Sequence, residues 1–189
     1  MGVLALQGAF RAHIHKLEAL GVSTAEVRLP EQLDDVDALI MPGGESTTMS
    51  MLLESSGLFD AIEKRLADDM PVFGTCAGLI LLARSIEDGR PDQRSFGRLD
   101  IAVQRNGYGR QVESFECDLD TTVLDDAVHA VFIRAPRVIT VSSNVEVLAS
   151  DHRGDPVLLR DGNALGAAFH PELSDDDRLH RLFVESVAY

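Results

Sequence analysis

The run Gly74-Thr75-Cys76-Ala77-Gly78 sets a cysteine between two glycines, after an apolar stretch of strand length (Pro71 to Gly74) and before an apolar helical stretch, residues 79–83. This is the nucleophile-elbow pattern with cysteine as nucleophile. Glycines at both offsets remove the Cβ atoms that would clash in so tight a strand-to-helix turn, and the turn pushes the central side chain outward. At a helix start the dipole and the free N–H groups favour thiolate over thiol, and thiolate is the reactive form. The same residue types also fit a small core cysteine ahead of a buried helix.

A cysteine nucleophile needs a base, and the base an orienter. His170 and Glu172 have the right types: they follow an apolar strand, Ala164 to Phe169. Two residues apart in extended backbone, which Pro171 favours, they would project to the same side. Glu172 could then hold the His170 ring in the tautomer that accepts a proton from Cys76. Alone, such a pair reads equally as a strand-end histidine and a solvated glutamate; beside the elbow it reads as the remainder of a triad. A zinc site of the deaminase kind places its Cys-x-x-Cys pair after the His-x-Glu, whereas here Cys76 comes first and has no second cysteine near it in sequence. No metal is expected. His13 and His15 in the first helix, His129 and His152 near turns and His180 in the last helix read as surface or helix-face residues without a role.

A third element, Pro42-Gly43-Gly44-Glu45-Ser46-Thr47-Thr48, follows the apolar strand Asp37 to Met41. Glycine backbone at the carboxyl end of a parallel strand can present an N–H to a developing oxyanion, with the N–H of Ala77 as second donor. That makes an oxyanion hole from Gly44 and Ala77. A phosphate loop is the rival reading, but the Walker lysine is missing; a plain turn with helix-capping hydroxyls at Ser46, Thr47 and Thr48 also fits.

These groups need a scaffold that brings strand ends together. Strand-like runs at Gly2 to Leu6, Val22 to Leu29, Asp37 to Met41 and Pro71 to Gly74 alternate with helical patterns at Phe10 to Leu20 and from Met49 through Leu66, broken at Gly57. Such alternation predicts a mostly parallel central sheet flanked by helices. From Gly97 to about Arg160 the texture changes to short strands (Leu99 to Gln104, Gln111 to Cys117, Ala130 to Ile133, Val138 to Val141, Val145 to Ala149, Pro156 to Leu159), an antiparallel annex. Asp175 to Val187 closes the chain as an amphipathic helix with an acidic first turn, and Glu87 to Ser95 reads as a surface loop. One domain over residues 1–189 is expected.

Composition narrows the function. With 31 acidic and 17 basic residues the net charge is -14, which argues against nucleic-acid binding. There is no apolar run of bilayer length, no basic leader, and Leu6 stands where a myristoylation signal has Ser or Thr, so neither membrane insertion nor secretion is expected. Two cysteines, Cys76 and Cys117, are too few for a disulfide framework, and a cytoplasmic setting follows. Only Lys16 and Lys64 are lysines against fifteen arginines, a bias that a salt-rich cytosol or a GC-rich genome would each produce.

PGGES at 42–46, GTCAG at 74–78 and HPE at 170–172 together resemble class I (triad) glutamine amidotransferases of flavodoxin-like fold. LALQGAF at 4–10, LIMPGGESTTM at 39–49, PVFGTCAGLILLA at 71–83, RNGYGRQVESFE at 105–116, FIRAP at 132–136 and FHPELSDD at 169–176 narrow the resemblance to the glutaminase subunits of pyridoxal 5'-phosphate synthase. It departs only at Gly107-Tyr108, where Ala-Phe is commoner, and over Glu87 to Ser95. The resemblance implies hydrolysis of L-glutamine through a cysteine thioester, with Cys76 as nucleophile, His170 as base and Glu172 as its orienter. It further implies a glutamine site formed by Gly44, Glu45, Ser46, Arg105, Ile133 and Arg134. No cofactor is expected, and the resemblance implies a partner: a (β/α)-barrel synthase subunit in a multi-subunit complex that receives the ammonia. Competing readings are a glutaminase serving another acceptor, such as the histidine-pathway cyclase, and a non-enzymatic thiol sensor on the same fold.

Overall fold

In the first half of the chain strand and helix alternate: β1 (Gly2–Leu4), α1 (Phe10–Ala19), β2 (Ala25–Val27), a 3₁₀ turn (Pro30–Leu33), β3 (Leu39–Met41), α2 (Ser46–Ser55), α3 (Leu58–Ala67), β4 (Val72–Thr75) and α4 (Ala77–Leu82). Short strands follow: β5 (Ala83–Ile86), β6 (Leu99–Gln104), β7 (Phe115–Leu119), β8 (Val128–Phe132), β9 (Arg137–Val141), β10 (Glu146–Ser150), β11 (Pro156–Asp161) and β12 (Ala164–Ala167). A second 3₁₀ turn (Pro171–Leu173) and α5 (Arg178–Val187) come last. The structure, a computed structural model, describes residues 1–105, 107 and 114–187.

Among the described residues the central sheet runs β10-β11-β12-β4-β3-β1-β2. The five strands β2, β1, β3, β4 and β12 are parallel, and β11 and β10 extend the sheet antiparallel. Read along the parallel part, this is the 2-1-3-4-5 order of flavodoxin-like folds, in which a binding crevice opens at the carboxyl ends of the strands. Every residue of β1, β3, β4 and β12 is buried, as expected of strands with helices on both faces. Leu39 pairs with Val72 and Val72 with Ala164, a register that aligns the ends of β3, β4 and β12. The annex comprises β5-β6-β9 and the hairpin β7-β8.

The predicted alternation and annex are present, with differences of local cause. β10 and β11 join the central sheet rather than the annex. β5 was not foreseen, because Arg84 and Ser85 break its apolar pattern; it pairs parallel with β6, and Ala83 already has extended backbone (φ -63, ψ 152), ending α4 a residue early. The last helix starts at Arg178, so the acidic residues 175–177 precede its first turn; Asp176 accepts the Arg178 N–H at 3.0 Å. α2 is capped by Glu45, whose carboxylate accepts the N–H groups of Thr47 and Thr48 at 3.1 and 2.7 Å, not by the hydroxyls of Ser46, Thr47 or Thr48. Of the strand expected over Gln111 to Cys117, residues 111–113 lie outside the described residues, as do Asn106 and Tyr108 of the RNGYGRQ block. No described helix is long and apolar enough to cross a membrane.

Candidate active site

Loops from four parallel strands meet around one cavity of about 400 Å³: Gln7 to Ala9 after β1, Gly43 to Ser46 after β3, Cys76 after β4 and His170 after β12. Arg105, Ile133 and Arg134 close it from the annex side. The volume suits a small metabolite, and the position is where open parallel sheets bind ligands.

Cys76 sits in a strained conformation, φ 49 and ψ -102, between β4 and α4. Two hydrogen bonds hold it there: its N–H donates to Ala167 O at 2.8 Å, and its carbonyl accepts from Ile80 N at 3.2 Å. The flanking glycines are required by contact. A Cβ on Gly78 would lie 2.0 Å from the Met41 carbonyl oxygen, and one on Gly74 2.7 Å from the Gly78 backbone. A positive φ at a residue with a side chain costs on the order of 1–3 kcal/mol and persists only where its surroundings enforce it.

His170 is anchored by its N–H, which donates to Val131 O at 2.8 Å across to β8. Its Nδ1 lies 2.7 Å from Glu172 Oε1. The expected extended backbone through Pro171 is not what joins them: Pro171 opens a 3₁₀ turn, and that turn folds the carboxylate back under the ring. Burial pulls the His170 pKa down, but its hydrogen bonds to the Cys76 sulfur and to Glu172, with the charges on both, outweigh that and raise it to about 10. Since Nδ1 is committed to Glu172, Nε2 is the nitrogen left for sulfur. For Glu172 burial raises the pKa, but the bond from His170, together with the electrostatic pull of the facing His13 and His170 rings, outweighs it and holds the carboxyl below its usual range. At neutral pH the His170 ring therefore stands as an imidazolium beside the Cys76 sulfur.

On the opposite wall Glu45 Oε1 and Arg105 Nη2 form an ion pair at 2.8 Å, and Gln93 bridges Arg105 (3.2 Å) to Ser46 Oγ (3.2 Å). Burial would raise the Glu45 pKa, but the Thr48 hydroxyl, the N–H groups of Thr48 and Thr47, and Arg105 hold it down at about 2. Arg134, at φ 45, follows Ile133, whose carbonyl oxygen lies 4.0 Å from Cys76 Sγ.

The cavity thus gathers Cys76, His170, Gly44, Glu45, Ser46, Arg105, Ile133 and Arg134. Glu172 and Ala77 do not line it; they are buried behind it. Among the described residues no cluster of His, Cys, Asp and Glu could hold a metal ion. Sequence reasoning missed Gln7, whose Oε1 accepts the Glu45 N–H at 2.9 Å and fixes the glycine turn. It also misread His13 and His180, which are not surface residues but fully buried. His13 falls three residues after Phe10 and four before Leu17, and His180 three before Phe183, so helical periodicity already placed both on apolar faces.

A flavodoxin-like sheet with a cysteine elbow at one strand end and a His-x-Glu pair at the next defines the class I glutamine amidotransferase architecture. Residues 3–189 match the SNO glutamine amidotransferase family, and the chain belongs to it. It is 54% identical over 187 residues to a Mycobacteroides abscessus protein named pyridoxal 5'-phosphate synthase subunit PdxT, covering 99% of this chain and 96% of that one. A Thermotoga sp. protein of the same name is 52% identical over 188 residues, covering 99% and 98%. A crystal structure described as a glutamine amidotransferase superposes with a TM-score of 0.93 at 49% identity, over 100% of this chain and 98% of that one. PurLQS from Thermotoga maritima, at 17% identity and TM-score 0.74 over 97% and 96%, shares the fold.

Proposed function

We propose that this chain is the glutaminase subunit of a pyridoxal 5'-phosphate synthase, one domain over residues 1–189 that hydrolyses L-glutamine to L-glutamate and ammonia and passes the ammonia to a synthase subunit. The observation that carries this reading is the meeting of the Cys76 sulfur and the His170 imidazole, from two different strand ends, in a cavity that also holds the Glu45–Arg105 pair. An α-amino acid is the ligand class that can satisfy that pair from outside: its ammonium faces Glu45 and its carboxylate the planar fork of Arg105.

With the head group so held, the Cys76 thiolate attacks the side-chain amide carbon. The tetrahedral oxyanion takes hydrogen bonds from the backbone N–H groups of Gly44 and Ala77. His170, oriented by Glu172, protonates the departing nitrogen, leaving a γ-glutamyl thioester and ammonia. Water deprotonated by His170 then hydrolyses the thioester to glutamate and restores the thiolate. Ser46, Ile133 and Arg134 complete the wall around the substrate.

In neutral water ammonia becomes ammonium, which is not a nucleophile, so the product is useful only beside its acceptor. The acceptor in this reading is a (β/α)-barrel subunit in a multi-subunit complex, joining the ammonia to a pentose phosphate and a triose phosphate in the cytosol, where Cys76 stays reduced. Ammonia release from glutamine is the test: wild type with the synthase subunit should turn over well above wild type alone, and Cys76→Ser should not turn over in either state. Equal release by Cys76→Ser would reject the reading.

A further inference from the structure

Behind the triad lies a polar layer that the proposed reaction leaves unused. Glu172 Oε1 is engaged by His170, but Oε2 is buried with no hydrogen-bond partner among the described residues. Facing it is His13 Nε2, on α1, at 3.4 Å. The same nitrogen lies 3.2 Å from Thr75 Oγ1 on β4, and His13 Nδ1 lies 2.9 Å from Nε2 of His180 on α5. His13 and His180 are wholly shielded from solvent, and His180 Nδ1 has no hydrogen-bond partner among the described residues. Two histidines and a carboxylate in a dry interior demand an explanation, since unmatched polar atoms there cost about 1–3 kcal/mol each.

The tautomers can be assigned by elimination. If His13 carried its proton on Nδ1, its Nε2 lone pair would face the Glu172 carboxylate and His180 would bury an orphaned N–H. If His180 donates from Nε2 to His13 Nδ1, His13 carries its proton on Nε2, aimed at Thr75 and Oε2, and the only orphan is a His180 lone pair. The second arrangement removes the repulsion. Burial holds the His13 pKa down at about 4 and that of His180 at about 3, so both rings are neutral at pH 7. A neutral donor matters here, because a cation at residue 13 would compete with His170 for the charge of Glu172. The charged or titratable groups around the pair are Glu172 and His170 beyond β12 and Lys16 on α1.

We propose that His13 is a positioning residue for the triad: its Nε2–H steadies Glu172 Oε2 so that Oε1 stays on His170 Nδ1, and His180 sets the tautomer that makes this possible. At 3.4 Å the contact is long, as hydrogen bonds of substrate-free sites often are.

The inference rests on the glutaminase reading, and steady-state ammonia release by the complex with the synthase subunit separates the two. A wild-type complex that releases no ammonia removes the reaction itself, and the inference with it. Given an active wild type, His13→Leu should lower kcat roughly ten- to a hundredfold with KM little changed, because a carboxylate free to rotate misplaces the base. The alkaline limb of its pH profile should move down by about one unit, since a loosened Glu172 supports the His170 imidazolium less. His13→Gln, whose amide reaches the Nε2 position, should restore most of both. His13→Asn, whose amide reaches His180 but not Oε2, should behave like His13→Leu and stands in for it if the latter does not fold. Melting curves show which variants are folded. A folded His13→Leu or His13→Asn with wild-type kcat and an unmoved alkaline limb would overturn the proposal, as would a His13→Gln no better than either.

Discussion

His170 Nδ1 lies 2.7 Å from Glu172 Oε1, although the proline between them has already turned the backbone into a 3₁₀ helix. The pair is held by that turn and not by strand geometry, so its strength depends on a carboxylate that has little freedom to move. Replacing that carboxylate by an amide keeps the shape and removes the charge. Glu172→Gln should lower kcat by roughly 10²- to 10⁴-fold with a small change in KM, measured as ammonia release by the complex.

The alkaline side of the activity profile follows from His170. Raised to about 10, the imidazole keeps the proton it must hand to the departing nitrogen throughout the neutral range. Activity should therefore hold above pH 8 and fall only as the pH nears 10. Glu172→Gln should bring that fall to lower pH, which a pH series of kcat/KM would show.

Acid should destabilise the fold earlier than carboxylate titration alone predicts. His13 and His180 have folded pKa values of about 4 and about 3, below the 6.5 of a free histidine, so between these limits the unfolded chain binds protons that the folded chain does not. Their neutral burial contributes stability that is fully present above pH 6.5 and lost as pH falls toward 4 and 3. The slope is about 1.4 kcal/mol per pH unit for each ring. Urea midpoints measured from pH 7 to 4.5 should drop steadily, and His180→Phe should flatten the decline.

Arg105 and Glu45 should act on binding more than on chemistry. Arg105→Leu removes a bidentate partner for the substrate carboxylate and should raise KM roughly ten- to a hundredfold while changing kcat less. Glu45→Ala should also weaken α2, whose Thr47 and Thr48 N–H groups it caps, by about 1 kcal/mol, visible as a lowered melting temperature.

Gly78→Ala tests the elbow itself. Its Cβ would meet the Met41 carbonyl oxygen at 2.0 Å, and because that atom is backbone in a buried central strand it cannot step aside. Destabilisation of about 1–3 kcal/mol is expected in thermal melts, with loss of turnover in whatever folds.

The elbow, the glycine turn and the His-x-Glu pair could be read from residues alone because each is local: a few neighbours determine its backbone. The parallel strands were readable for a similar reason, since burial on both faces leaves uninterrupted apolar runs. β5 escaped because its partner, β6, supplies the pairing that its own residues do not advertise. The helix-capping role of Glu45 escaped because its long side chain bends back past the hydroxyls expected to cap. His13 and His180 were placed wrongly despite favourable periodicity, because a histidine on an apolar face is explained only by partners 167 positions away along the chain.

The place of β12 in the sheet decides when Cys76 and His170 can meet. β12 occupies an interior position between β4 and β11, yet its residues, 164–167, lie far beyond Cys76 in sequence and lead directly into His170. A nascent polypeptide emerging from the ribosome therefore exposes Cys76 long before it possesses the base that activates it. Until β12 has inserted between β4 and β11, the chain holds Cys76 without His170 beside it.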